Sequence, residues 1–249
     1  MSEPTLNKPK FVIFAQPRTG SNALIARLNN KTDICCHYEM YHPKQVWLHE
    51  ARVAAMGNIN EKLKSCEYRD KHPFKFLKEH VDSASRYTFG FKIFRNHNPK
   101  VLETLAANRQ WRKLILIRAN LLDQFLSTEI ALKTGAYIYA KEKKDLASSE
   151  KRIEFDFQRF LAFVQKERMI VNYYMSHCAG EVFFLEYNSA VLGSLTPIFD
   201  WLGLEDTEDD TESASLQKQN SSITANKVTN FDYLASSLSG SEFEWMISV

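Results

Sequence analysis

Short apolar runs alternate along this chain with segments whose apolar residues recur at helical spacing. The runs at 11–15, 89–94, 114–117 and 182–185 are typical of buried strands. A helical segment follows each of them, and the first places Leu24, Ile25 and Leu28 on one face. Repeated strand-then-helix units predict an α/β fold in which helices flank a central parallel sheet. We expect one domain over residues 1–249.

Turn residues divide the remaining segments. Asn98-Pro99 predicts a helix start, while Gly135 and Gly203 predict helix ends. Further helical periodicity lies at 42–55 and 155–174, whereas 57–87 is charged and weakly periodic. Polar composition predicts a flexible N-terminus at 1–9, a charged loop at 136–153 and a polar loop at 205–222.

Composition narrows the class of protein. With 44% hydrophobic residues, 249 residues can bury a large core. A net charge of +2, from 32 basic and 30 acidic residues, argues against a nucleic-acid partner. The four cysteines lack metal-ligand spacing, so we expect them to be reduced and no metal to be bound. The sequence has no signal-peptide pattern and no run long enough to span a membrane, which favours a cytoplasmic protein without stable membrane insertion.

The segment QPRTGSN at 16–22 carries the most specific chemistry. It joins a strand to a helix, where backbone N–H groups and the positive end of the helix dipole attract anions. Candidate phosphate contacts come from the five residues Arg18, Thr19, Gly20, Ser21 and Asn22. No lysine ends the loop, so it is not the Walker A motif of nucleoside triphosphatases. The alternative is an ordinary turn capped by Ser21.

A second candidate site follows the strand at 114–117. Arg118 ends that strand and Ser127 lies in the next helix. Ligands in parallel sheets bind beyond the carboxyl ends of the strands, so this pair suits a second phosphate. An arginine at this position is also common as a solvated or ion-paired residue.

Taken together, these two segments resemble the sulfotransferases that use 3′-phosphoadenosine-5′-phosphosulfate (PAPS), and the likeness is nearest to the bacterial carbohydrate and glycolipid (trehalose-type) enzymes. In the resemblance QPRTGSN is the 5′-phosphosulfate loop, and Arg118 with Ser127 binds the 3′-phosphate. CHYEMYHP at 36–43 resembles the acceptor-side glutamate segment, and FGFKIFRNH at 89–97 the second strand. Lys218 to Asn220 lie where many of these enzymes carry a loop over the cofactor, but the glycine-containing form of that loop is absent.

The resemblance implies a P-loop-like fold and sulfuryl transfer from PAPS, which leaves adenosine-3′,5′-bisphosphate as product. It implies a small-molecule acceptor, a sugar or glycolipid hydroxyl, and no metal. Arg18 would neutralise the departing nucleotide, while either Glu39 or His97 would remove the acceptor proton, with Glu39 favoured. Two alternatives remain: a P-loop kinase, which needs a lysine and a magnesium-holding acid, and a module that binds a phosphorylated nucleotide without turnover.

Overall fold

A computed structural model describes residues 8–57, 59–135, 151–204 and 223–248. The predictions for 1–7, 136–150 and 205–222, including Lys218 to Asn220, lie outside the described residues. The elements, in chain order, are β1 Lys10–Ala15, α1 Ser21–Leu28, β2 Ile34–Glu39, α2 Glu50–Ala55, α3 Cys66–Lys71, α4 Pro73–Ser83, β3 Thr88–Phe94, α5 Pro99–Ala107, β4 Trp111–Ile117, α6 Leu121–Thr134, α7 Phe157–His177, β5 Val182–Glu186, α8 Tyr187–Val191, α9 Thr196–Leu202 and α10 Phe231–Leu238.

The described residues fall into two compact units. The first takes its residues from 1–117 and 173–214, and the second from 118–172 and 215–249. The first unit contains the whole sheet. One domain over the whole chain stays a prediction.

The sheet of the first unit has five parallel strands in the order β2-β3-β1-β4-β5. Its strands are joined through helices, as parallel strands require, so the predicted α/β class with a helix-flanked parallel sheet is confirmed. Parallel strands end at one edge. The carboxyl ends of β1, β2 and β3 therefore lie side by side, and this edge carries the loop after β1.

Helices cover both faces of this sheet. On one face, α1, α8 and α9 pack with alternate strand residues such as Phe11 and Leu114 into a buried apolar cluster. On the opposite face, Phe14 of β1 stacks on Tyr174 of α7 with ring centroids 4.9 Å apart. Gly90 of β3 lies beneath the Phe11 ring, where a Cβ atom would come 2.2 Å from Cζ. Only glycine fits there.

The second unit has its own apolar core. α6, α7 and α10 contribute Leu126, Phe160 and Leu234, which are fully buried. A bridge between Ile153 and Val228 ties two of its segments together. Burial of this set in one cluster explains why the second unit is compact in itself.

The predicted helix start at Asn98 and the predicted helix ends at Gly135 and Gly203 are confirmed. Asn98 caps α5 by accepting a hydrogen bond from the Val101 N–H at 3.1 Å. Gly135 and Gly203 end α6 and α9 in the left-handed conformation, each with φ of 68°. These positions follow the rules for helix caps because only local geometry decides them.

Two segments differ from the sequence prediction. Residues 34–39 form a strand, β2, that the sequence analysis did not predict. The helix predicted over 42–55 is confined to Glu50–Ala55, because the preceding residues form a loop whose carbonyls bind Arg69. The charged region 57–87 folds into α3 and α4.

Candidate functional site

The loop after β1 has an unusual backbone. Arg18 has φ of 66° and Gly20 has φ of 79°, so two residues close together adopt the left-handed conformation. Arg18 is the only residue other than glycine with positive φ in the described part of the chain. Thr19 is buried, and its hydroxyl donates to the Gln16 carbonyl at 2.7 Å. A non-glycine residue held in this region carries strain, which is typical of functional loops.

Gly20 has two structural reasons to be glycine. Besides its positive φ, a Cβ atom here would lie 2.8 Å from Val191 Cγ2 and 2.9 Å from the Tyr187 ring. α8 therefore packs directly against the loop backbone. Gly20 is also the N-cap residue of α1, and no side chain forms a capping hydrogen bond there. The capping role predicted for Ser21 in the alternative interpretation is wrong, since Ser21 is the first helical residue and Gly20 is the N-cap.

A lysine from the neighbouring strand connects this loop to the candidate base. Lys92 of β3 is 1% exposed, and its Nζ donates to Ser21 Oγ at 3.1 Å and to Asn22 Oδ1 at 2.5 Å. The same Nζ lies 2.9 Å from Glu39 Oε1. An ammonium has three protons, and three acceptors surround this one. Burial lowers the pKa of Lys92, while the Glu39 carboxylate opposes that shift.

Lys92 is a candidate site residue that the sequence analysis did not single out. The loop itself ends without a lysine, as the sequence shows, but β3 places one beside it. The signal in the sequence was a lysine inside the apolar run FGFKIF. A charged residue at a fully buried strand position is rare without a partner, and that rarity would have identified it.

Both candidate bases lie at this same edge. Glu39 ends β2 with 18% of its side chain exposed, and His97 Nε2 lies 3.6 Å from Glu39 Oε2. Burial lowers the pKa of His97 to about 4, although Glu39 opposes the shift. The Phe94 N–H donates to His97 Nδ1 at 3.4 Å, which leaves the imidazole proton on Nε2, facing the carboxylate. With this lowered pKa His97 is neutral near pH 7, and its Nε2 lies on the side of Glu39 but beyond hydrogen-bond distance.

Arg118 and Ser127 belong to the second unit. Arg118 Nη2 lies 2.9 Å from Asp123 Oδ2, and Lys227 Nζ contacts the other carboxylate oxygen. All four of these side chains are buried. Two cations around one carboxylate leave this cluster with a formal charge of +1, which suits an anion. Lys227 was not singled out from the sequence. Whether Arg118 and Ser127 contact a 3′-phosphate stays a prediction.

The described residues contain no group of three or more His, Cys, Asp or Glu side chains that could hold a metal ion. None of the helices described is both long and apolar enough to cross a bilayer. All four cysteines are free thiols.

The comparisons with known proteins give matches among solved structures alone. No family model matches the sequence, and no curated protein matches it. Among solved structures, the chain is similar to the sulfotransferase domain of the olefin synthase from Synechococcus PCC 7002. The sequence identity is 13%, the TM-score is 0.48, and the match covers 93% of this chain and 86% of that domain.

Proposed function

We propose that this protein is a sulfotransferase that moves a sulfuryl group from PAPS to a hydroxyl of a carbohydrate or glycolipid-like acceptor. The observation that carries the proposal is the Lys92 ammonium, which joins the anion-binding loop to Glu39. One cation thereby contacts both the place where a phosphate ester would bind and the carboxylate that would take a proton. A phosphate loop and a base at one edge suit group transfer to a hydroxyl.

The loop has the donor set that a 5′-phosphosulfate needs. The first turn of α1 offers backbone N–H groups that no side chain caps, and Arg18 adds a planar guanidinium. Ser21 and Asn22 bring side-chain donors, while Thr19 fixes the loop through Gln16. In the second unit, Arg118 and Ser127 are the residues proposed for the 3′-phosphate.

The chemistry follows from these groups. When bound, PAPS supplies a sulfuryl group whose bond to the nucleotide phosphate breaks as a bond to the acceptor oxygen forms. Arg18 and Lys92 neutralise the negative charge that passes to the departing phosphate. Glu39 takes the proton of the acceptor hydroxyl. His97 is a poor proton acceptor because of its lowered pKa, and its Nε2 lies 3.6 Å from Glu39 Oε2.

Lys92 also bears on the kinase alternative. A magnesium-dependent kinase uses a loop hydroxyl and an acidic side chain to hold the metal. Here the hydroxyl of Ser21 and the carboxylate of Glu39 both contact the Lys92 ammonium. A buried positive charge thus lies between the groups that would ligate magnesium. This favours charge neutralisation by the protein itself and makes metal-independent transfer the proposal.

We also propose that the chain acts as one cytoplasmic domain.

The proposal is tested by mass spectrometry of acceptors after incubation with PAPS. A panel of sugar and glycolipid hydroxyls should gain one sulfo group each where they are substrates, and chelation of divalent metals should leave the rate unchanged. Thermal shifts with adenosine-3′,5′-bisphosphate, magnesium ATP and NADPH compare the ligand classes. Stabilisation by magnesium ATP alone would favour the kinase. Binding of the bisphosphate without any transfer would favour the non-catalytic module.

A further inference from the structure

The loop that follows Glu39 is held rigid by a buried arginine. Arg69 of α3 is 2% exposed, and its Nη1 lies 3.3, 2.6 and 3.3 Å from the carbonyl oxygens of Met40, His42 and Gln45. Burial of a guanidinium is costly unless its donors are used. Here one guanidinium group fixes the carbonyls of a single loop, so the conformation of residues 40–47 is strongly determined.

The same loop turns back onto the candidate base. The backbone N–H groups of His42 and Trp47 both donate to the Glu39 carbonyl, at 3.1 and 3.3 Å. Trp47 therefore has a fixed position relative to the backbone of Glu39. Its side chain is 37% exposed, although the loop around it is anchored. A single exposed indole needs no special explanation. This one does need an explanation, because the backbone of Trp47 is hydrogen-bonded to the carbonyl of a candidate base.

Aromatic rings lead from this indole to the carboxylate. The Trp47 and His42 ring centroids are 6.5 Å apart, and those of His42 and His97 are 5.6 Å apart, with both pairs edge to face. His97 Nε2 then lies 3.6 Å from Glu39 Oε2. Lys44 N–H donates to His42 Nδ1 at 3.2 Å, which fixes the orientation of the middle ring. Trp47, His42, His97 and Glu39 thus form one row of neighbouring side chains, called the wall below, which runs from the indole to the candidate base.

This wall combines one apolar face with a polar rim. The indole supplies a flat apolar surface, whereas the two imidazoles and the carboxylate supply hydrogen-bonding groups. A pyranose ring has the matching chemistry, since its C–H groups form an apolar face and its hydroxyls surround the edge. A phenol has no polar rim and would fit an enclosed apolar slot better.

We infer that Trp47 is the stacking platform for the ring of the acceptor, and that the segment from Met40 to Trp47 selects pyranosides over acyclic polyols and phenols. The inference rests on the proposed function and names the acceptor class of that same site. Trp47 is then a specificity-determining residue, whereas Arg69 is a positioning residue that acts through the loop.

The test compares Trp47→Ala and Trp47→Phe with the parent protein, using methyl α-glucopyranoside, sorbitol and 4-nitrophenol as acceptors. In Trp47→Ala, KM for the pyranoside should rise about tenfold and kcat should change by less than about threefold, the effect of losing one stacked ring. Trp47→Phe should recover most of the loss. Affinity for adenosine-3′,5′-bisphosphate should stay at the parent value. Trp245→Ala, which removes a 62% exposed indole of the second unit, is the matched control and should change nothing.

Equilibrium binding separates this inference from the proposed function. Titration with the pyranoside should quench tryptophan fluorescence in the parent, and this quench should be absent in Trp47→Phe. Quenching that depends on Trp47 without sulfuryl transfer would sustain the platform and remove the sulfotransferase. Transfer with an unchanged KM in Trp47→Ala would overturn the platform and leave the enzyme. Failure of the parent to bind the pyranoside, or binding of 4-nitrophenol instead, would also overturn it.

Discussion

Replacement of Lys92 by methionine tests the centre of the proposed site. Methionine keeps most of the side-chain volume and removes the ammonium that contacts Ser21, Asn22 and Glu39. If this ammonium neutralises charge on the departing phosphate, turnover should fall by about 10²- to 10³-fold, the effect of removing one such donor from an active site. Sulfo-group gain by an acceptor, followed by mass spectrometry, measures this loss.

Stability should change much less than turnover. Breaking a fully buried ion pair costs about 3–5 kcal/mol. Here Glu39 stays 18% exposed, so water can solvate the carboxylate that has lost its partner. Burial of the ammonium also carries a cost, as the lowered pKa of Lys92 indicates, and methionine removes that cost. We therefore expect Lys92→Met to lose about 1–2 kcal/mol in free energy of unfolding, measured by chemical denaturation.

Lys113 provides the matched control. It is likewise fully buried, on β4, which β1 separates from β3, and its Nζ donates to the carbonyls of Asn108 and Ala179. Lys113→Met should therefore lose a comparable amount of stability and keep turnover within a few-fold of the parent. If the two methionine variants lose turnover equally, Lys92 is a structural residue and the reasoning about its charge is refuted.

Four further outcomes are expected. Arg18→Gly should be about 1 kcal/mol more stable than Arg18→Ala, because glycine adopts the positive φ without strain, and both should lose turnover; equal unfolding free energies would show that the backbone is not strained. Glu39→Gln should keep its affinity for adenosine-3′,5′-bisphosphate, lose about 10²- to 10⁴-fold in turnover, and lose the acidic limb of the pH–rate profile. If Glu39→Gln loses less turnover than His97→Ala does, His97 is the base. Burial lowers the pKa of His97 from its ordinary 6.5 to about 4 in the folded protein. The unfolded chain therefore binds more protons between these pH values, so stability falls as the pH falls through them. His97→Gln should reduce this slope by up to about 1.4 kcal/mol per pH unit, and an unchanged slope would contradict the shift. The parent should bind adenosine-3′,5′-bisphosphate about tenfold or more tightly than adenosine-5′-monophosphate, and Arg118→Ala should abolish that preference; calorimetry giving equal affinities in the parent would remove the PAPS assignment.

The elements that could be predicted from the sequence are those that local chemistry determines. β1, the loop and α1 follow from an apolar run, a cluster of small polar residues and helical spacing, and the structure has them where expected. The Asn98 cap and the terminal Gly135 are equally local, since each depends on the geometry of one turn. Such features need no knowledge of the partners that the chain meets elsewhere.

β2 could not be predicted from the sequence because contacts with residues distant along the chain, and not its own residue types, stabilise it as a strand. Its sequence, ICCHYE, has a single branched apolar residue, Ile34, whereas an ordinary buried strand has several. His37 is nevertheless completely buried, with its Nδ1 accepting from the His49 N–H and its ring edge-on to His80 of α4. Burial and neighbouring histidines lower its pKa, so it is accommodated as a neutral ring. No window around residue 37 contains that information.

Lys92 and Arg69 show the same limit at the candidate site. Each is a buried cation whose hydrogen-bond and ion-pair partners lie at least 24 residues away along the chain, apart from Asp70 beside Arg69. The sequence analysis placed Trp47 on a helix because the spacing of apolar residues suits one. The structure keeps residues 40–47 out of a helix because Arg69 takes the carbonyls that a helix would use internally.

The position of Lys92 also implies an order of events on the proposed function. Before an anion binds, the three protons of the ammonium face Ser21, Asn22 and Glu39, so one carboxylate oxygen of the base is already engaged. A phosphate ester at the loop competes for the same ammonium, because charge-assisted hydrogen bonds to an anion are stronger than those to a hydroxyl or an amide. On the proposed function we expect the Lys92 ammonium to turn towards the nucleotide when a phosphate ester binds, which releases Glu39 Oε1 to accept the acceptor's proton. Occupation of the loop would then precede proton removal.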